Sequence, residues 1–260
     1  MTTSSATLTS GNPFATLLEI RVAHSPVTTS LAGQAYDAIR AKILRGQLRP
    51  GSPLSRRRLA TELGMSVLPV SDALRKLEAD GLVETRARAG TRVRVPTEAD
   101  IRDLYELREA LETQSARLFA LRATAAERRA LTVQARRVDT LFNRLRTKGA
   151  DPAFRFTVHN QHVRLHMNIA AHSRSPLLTQ SIERNHVLLL NWLFDVGARQ
   201  TPLPPDFHAR LVAALISRDP DAADAAMRAH VRYGLVEITG NFSALAASEW
   251  RERKKVRRRA

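Results

Sequence analysis

The 260-residue chain contains no cysteine. That excludes disulfides, thiolate metal sites and cysteine nucleophiles at once. It has no apolar run approaching the ~20 residues needed to span a bilayer. Its opening, MTTSSATLTSGNPF, is polar, with no basic segment leading into an apolar one. The expectation is therefore no signal peptide, no membrane partner and a cytoplasmic location. Acidic residues are scarce too: 25 Asp and Glu stand against 41 Lys and Arg, a formal net charge of +16. Such an excess points to a polyanionic partner, most often nucleic acid. Hydrophobic residues, at 43%, suffice for one large domain or two small ones.

Residues 1–28 are rich in Ser, Thr and Pro and read as a flexible arm. In "SLAGQAYDAIRAKILRGQL" the residues Leu31, Ala35, Ile39 and Ile43 share one helical face, with Gly46 as a stop. "LRPGSPL" is turn chemistry. "SRRRLATELGMS" reads as a short helix capped by Ser55 and stopped by Gly64. "SVLPVSDALRKLEADG" reads as another, capped by Ser66, with Pro69 in the first turn and Gly81 at the end. "LVETRARAGTRVRV" alternates apolar and basic residues around Ala89-Gly90, the pattern of a two-stranded hairpin. Helix, helix, turn, helix and hairpin make a winged helix-turn-helix over residues 29–96, with the third helix set for a DNA major groove. This stretch holds 13 Lys and Arg against 6 Asp and Glu. Arg56, Arg57 and Arg58, with the wing residues Arg86, Arg88, Arg92 and Arg94, are expected to meet phosphates. Ser66, Val67, Leu68, Ser71 and Arg75 are expected at the groove, and Gly90 and Thr91 at the wing tip.

From Pro96 onwards the pattern is helical. Starts are signalled at Thr97, at Thr124 with Glu127, at Asp151-Pro152, at Ser175-Pro176, near Pro205-Asp206 and at Asp219-Pro220. Gly149, Gly197 and Gly240 are expected stops. The fold class is thus mainly α: an N-terminal winged helix-turn-helix, then an all-α bundle of about six helices over 97–240. A basic tail, 241–260, ends in RERKKVRRRA.

"LRPGSPLSRRRLATELGMSVLPVSDALRKLEADGLV" resembles the DNA-binding signature of the GntR family of bacterial transcription regulators. "DLYELREALE", "HMNIAAHSRSPLL" and "FHARLVAALISRDPDAADAAMRAHV" resemble successive helices of that family's FCD domain. The resemblance spans residues 30 to 238 and implies a homodimer that binds a palindromic operator in double-stranded DNA and senses a small molecule. Arg57, Arg75 and Gly90 match positions of the family pattern. The recognition helix departs from it. The family commonly opens Ser-Arg-Thr-Pro-Val-Arg-Glu, and here the chain reads Ser66-Val67-Leu68-Pro69-Val70-Ser71-Asp72, without either arginine.

"HNQHVRLH" places His159, His162 and His166 at i, i+3 and i+7, on one helical face. Taken alone, such a face is more often core than ligand. The resemblance implies that His162, His166, His208 and His230 surround one divalent transition metal, with His162 standing where the family usually has Asp. An all-imidazole set suits Zn, Ni or a similar ion. His159 and His172 are expected beside the site or at the surface. No Asp or Glu lies between 155 and 182, so a hydrolytic base is missing from this helix. Four neutral ligands leave the ion its full charge, which favours a small organic acid as effector, with Arg108 of the matching "ELR" helping to hold it. Two other readings stay open at this point: a nucleoid-type DNA-binding protein without effector, and a metal-dependent hydrolase.

Overall fold

The computed structural model describes residues 30–88, 90–148, 152–196 and 203–257. The N-terminal arm, Ala89, Gly149, Asp151, Gly197 and the side chains of the basic tail lie outside what is described.

Helix α1 (Leu31–Leu44) starts at Ser30, whose hydroxyl accepts from Gly33 N at 3.2 Å. It buries Ala35, Ile39 and Ile43, while Leu31, expected on that face, is 56% exposed at the helix end. Helix α2 (Arg56–Leu63) is capped by Ser55, which accepts from Arg58 N at 3.3 Å, and closes on Gly64 in the left-handed conformation that glycine adopts without strain. Helix α3 (Val67–Ala79) buries Val70, Ala73, Leu74 and Leu77 against α1 and α2. Ser66 occupies its N-cap position with extended backbone, but its side chain makes no capping bond.

Strands β2 (Val83–Arg86) and β3 (Gly90–Val93) form the expected hairpin. A third strand, β1 (Pro53–Leu54), lies within the segment read as a turn and pairs with β3 through Pro53↔Arg92 and Leu54↔Thr91. Its proline is tolerated because β1 is an edge strand, in the order β1-β3-β2. Leu54, Leu59, Leu82 and Val93 join the three helices in one core.

The six helices expected after Pro96 all form: α4 (Glu98–Arg122), α5 (Ala125–Lys148), α6 (Pro152–His172), α7 (Pro176–Val196), α8 (Phe207–Ile216) and α9 (Pro220–Arg257). Thr97 and Asp100 make a reciprocal capping box, and Thr124 and Glu127 make another. Pro152, Pro176 and Pro220 each take the first helical position, where the missing N–H has no intrahelical partner to lose. Gly240 is not a stop: α9 continues through it to Arg257, so no break in secondary structure marks the expected 240/241 boundary. A helical glycine costs only about 1 kcal/mol, and no proline follows to enforce an end.

The bundle core collects Ile101, Phe119, Leu131, Leu165, Ile169, Leu215, Met227 and Val231. Arg128 locks its corner. Its guanidinium donates to Ala120 O at 2.7 Å, Ala123 O at 3.1 Å and Leu215 O at 3.3 Å, satisfying carbonyls at the ends of α4 and α8.

Candidate functional site

Two surfaces carry the chemistry, one on each domain. On the first, Arg56, Arg57 and Arg58 are all exposed along the start of α2. The start of α3 displays apolar side chains to solvent: Leu68 is 71% exposed and Val67 43%. Ser71 donates its hydroxyl to Val67 O at 2.9 Å, so it is partly committed to its own helix. Arg75 is exposed and ion-paired with Asp72 one turn earlier. In the wing, Glu84 receives both Arg92 at 2.6 Å and Arg86 at 3.3 Å, which offsets part of the expected basic charge. Arg94 reaches Asp100 at 2.5 Å and ties the wing to the first turn of α4. Glu78 of α3 accepts from Thr85 N at 2.7 Å, fixing the wing against the recognition helix. Arg88 and Gly90 are exposed at the hairpin turn with φ of 62° and 77°.

Thr91 is placed differently from expectation. It is buried, with its hydroxyl 3.1 Å from that of Thr85 across the hairpin. It shares a strand face with Val93, so its side chain turns inward and away from any phosphate.

The second surface is internal. Helix α6 supplies His162 and His166 one turn apart, α9 supplies His230 and α8 supplies His208. The Nε2 atoms of His162, His166 and His230 converge: 162–166 is 3.0 Å, 166–230 is 3.1 Å and 162–230 is 3.3 Å. Neutral imidazoles carry one N–H each, so three ring nitrogens meeting at one point cannot all satisfy each other. A cation can satisfy them. Two nitrogens ~2.1 Å from one ion lie ~3.0 Å apart at right angles and ~3.4 Å at the tetrahedral angle, so the observed separations fit a transition metal. His208 lies beside this triad and not within it. Its ring centroid is 4.7 Å from that of His162, and its buried Nε2 has no hydrogen-bond partner. Phe142 stacks on His208 and Phe207 on His230, closing the centre with aromatic walls.

Three further groups at the centre were not anticipated from the sequence. Glu112 of α4, 2% exposed, contacts His166 Nδ1 through Oε2 and accepts from Arg108 Nε at 2.7 Å through Oε1. His186 of α7, also 2% exposed, puts Nε2 3.3 Å from Glu112 Oε1. Asp139 of α5 lies 2.7 Å from His208 Nδ1 and accepts from the backbone N–H groups of His208 and Ala209, each at 3.0 Å. It thereby caps α8, whose own N-cap residue Asp206 makes no side-chain cap. Arg108 is buried, its guanidinium 4.7 Å over the Tyr105 ring. His159 is buried against Phe142, and His172 lies at Glu127; neither joins the triad. A sequence signal for Glu112 did exist. It shares a helical face with Leu104, Tyr105, Arg108 and Ala116, all buried, and a charged pair on such a face needs buried partners.

Burial pushes the Glu112 carboxyl up, but Arg108 and then His166 and His186 outweigh it and hold the group well below its usual range. Burial raises Asp139 too, and the His208 ring with the two backbone N–H groups brings it down. Burial alone dominates at His159 and His186, both pushed down to about 4; the Arg155 charge adds to the first, and Glu112 opposes the second. His162 and His230 are lowered well below the ordinary value by burial and by neighbouring imidazoles. Unfolded histidines titrate near ~6.5. Below that pH the unfolded chain takes up protons that the native state refuses, so stability rises with pH across this window. The metal-free chain should therefore lose stability as pH falls from ~6.5, by up to ~1.4 kcal/mol per pH unit for each such histidine. Denaturant unfolding at pH 7.5 and pH 5 checks this, and equal midpoints would contradict neutral buried imidazoles.

A winged helix-turn-helix joined to a helical domain with a buried polar centre is the architecture of a DNA-binding regulator. The family model "Bacterial regulatory proteins, gntR family" matches residues 31–93, and the "FCD domain" model matches residues 103–233. The chain belongs to the GntR family of bacterial transcription regulators and carries an FCD domain. It is 30% identical over 193 residues, 71% of either chain, to the HTH-type transcriptional regulator Rv0043c of Mycobacterium tuberculosis. It is 41% identical over 92 residues to the "Probable D-xylose utilization operon transcriptional repressor" of Paenarthrobacter nicotinovorans, a match spanning 35% of this chain and 41% of that relative. The chain thus aligns with less than half of that relative's length. Among solved structures, E. coli McbR/YncC shares the fold with a TM-score of 0.65 at 19% identity, over 82% of this chain and 99% of the other. A GntR protein of Rhodococcus sp. RHA1 does so with a TM-score of 0.64 at 22% identity, over 82% and 99%. No helix among the described residues is long and apolar enough to cross a membrane.

Proposed function

We propose that the chain is a homodimeric, ligand-responsive regulator. Its winged helices bind the two halves of a palindromic operator, and its helical domain holds a divalent transition metal that anchors a small organic acid. The observation that carries this reading is the convergence of three imidazole Nε2 atoms within 3.3 Å in the interior of the sensor domain. His162, His166 and His230 would hold the ion, with His208 as the fourth ligand. When bound, the metal supplies a positive centre with open positions for an anionic oxygen. Arg108 spends one of its five donors on Glu112 and offers others to the same acid. An acid that binds one arrangement of the two DNA-binding domains better than the other shifts operator affinity by that difference.

Arg56, Arg57 and Arg58, with Arg86 and Arg88, supply the phosphate contacts, and Arg75 reads base edges. Ser66, Val67, Leu68 and Ser71 face the base edges, and Gly90 lets the wing approach closely. The test is operator affinity of metal-loaded protein across a salt series, with and without a panel of small carboxylates. The log–log salt slope should be about −0.9 per phosphate neutralised, and Arg57→Ala should flatten it while weakening binding to every sequence. One acid in the panel should change affinity by roughly 5- to 150-fold. Affinity unmoved by any acid, with or without metal, would overturn the sensor reading, and an unchanged slope in Arg57→Ala would remove that residue from the interface.

A further inference from the structure

We infer that Glu112 and Asp139 are positioning residues for the metal centre: each fixes the tautomer of one imidazole, so that its Nε2 keeps its lone pair free for an ion. This rests on the metal reading above and extends it to two residues that are not ligands themselves.

A neutral imidazole can ligate through only one nitrogen while the other carries the proton, and the hydrogen bond made by the second nitrogen decides which is which. At His166 the second nitrogen is Nδ1, and it faces Glu112 Oε2. An ionised carboxylate only accepts, so the proton sits on Nδ1 and Nε2 is left with its lone pair, aimed into the triad. Glu112 cannot turn away to serve as a ligand, because its other oxygen accepts from Arg108 Nε at 2.7 Å. Arg108 also supplies the counter-charge that lets a carboxylate stay ionised at 2% exposure.

His208 repeats the arrangement from another helix. Asp139 Oδ1 lies 2.7 Å from Nδ1 and also accepts from the residue's own backbone N–H, so one oxygen fixes both the ring and the helix turn that carries it. The outward nitrogen, Nε2, is buried and has no hydrogen-bond partner, the state expected of a ligand atom set for an ion. His230 provides the contrast. Its Nδ1 is buried without a hydrogen-bond partner, so no carboxylate fixes its tautomer. Glu112, His166 and His186 also lie close enough together to be considered as a second ion site. The Arg108 guanidinium on Glu112 opposes that, since it would put a second cation against the same carboxylate.

The experiment uses the full chain, labelled with ¹⁵N-histidine. In metal-free protein, long-range ¹H–¹⁵N spectra should show His166 and His208 protonated on Nδ1 and bare at Nε2. Titration with Co(II), read by its visible absorption, should saturate at one ion per chain. Asp139→Asn and Glu112→Gln should each weaken Co(II) binding by ~10- to 100-fold and alter the absorption envelope, with circular dichroism unchanged. If Glu112→Gln fails to fold, Asp139→Asn and the tautomers of the unaltered protein still decide. Variants that bind Co(II) as tightly as the unaltered protein, or Nε2-protonated His166 and His208, would overturn the positioning role alone. Two ions per chain would overturn it in favour of the second site, and no Co(II) bound by the unaltered protein would overturn the metal reading itself.

Discussion

Arg108→Ala should cost the metal-free protein about 3–5 kcal/mol, the loss expected when one partner of a buried ion pair is removed. The side chains of Arg108 and Glu112 are 4% and 3% exposed, and water cannot reach the carboxylate that the substitution strands. The His166 and His186 rings beside Glu112 would be left as its partners, at the expense of protonating a buried imidazole. Such a loss is a large fraction of a typical domain's ~5–15 kcal/mol. Arg102→Ala on the same helix is the control. Its pair with Glu98 has the same i,i+4 geometry and the same 2.7 Å distance, but 54% of the arginine side chain is exposed. Solvent screening should keep its effect within about 0.5 kcal/mol. Urea unfolding of the two variants separates these outcomes. Similar midpoints would mean that the Arg108–Glu112 pair is not the internal counter-charge described here.

The second large effect concerns which DNA the protein chooses. Bidentate arginine–guanine contacts are worth ~1–3 kcal/mol of discrimination each, and the first turn of α3 has none to offer. It presents Val67 and Leu68, both exposed, and Ser71, whose hydroxyl is occupied by Val67 O. Apolar side chains at a major-groove edge can meet thymine methyl groups. Discrimination should then fall more heavily on Arg75 and on DNA shape read by the wing. Arg75 must leave Asp72 to reach a base, so removal of that ion pair belongs to the recognition event. Selection of binding sites from random DNA should return half-sites without a strong guanine requirement opposite residues 67 and 71. Recovery of strong guanine preference there would refute this reading, and Val67→Arg should create such a preference.

What the sequence could and could not reveal follows from how local each signal is. The helix starts in the bundle were legible because Thr97-Asp100, Thr124-Glu127 and the first-turn prolines act within three or four residues. Strand β1 was not, because two residues carry no periodicity and its pairing with β3 lies almost 40 positions away. Thr91 belongs to the core face of the wing and not to its row of contacts. The alternation Thr91-Arg92-Val93 already set the threonine on the inner face with the valine. Gly240 does not end α9, because glycine ends a helix only where the backbone turns left-handed. The histidine pair on α6 was visible at i,i+4. Asp139 and His186 were not, since tertiary packing alone brings α5 and α7 to the same point, and the apolar face that carries Glu112 marks it as interior without naming its histidine partners.

Effector anchoring and the positioning roles of Glu112 and Asp139 both require that the histidine centre hold a metal ion. The direct measurement is elemental analysis of the full chain, purified without an affinity tag, incubated with Zn, Ni or Mn and freed of excess ion, beside His166→Ala and His208→Ala. One ion per chain in the unaltered protein is the expected result, with the metal lost in His166→Ala and reduced in His208→Ala, whose ring lies beside the triad. No stoichiometric metal in the unaltered protein would contradict the account and leave these histidines as members of a polar core.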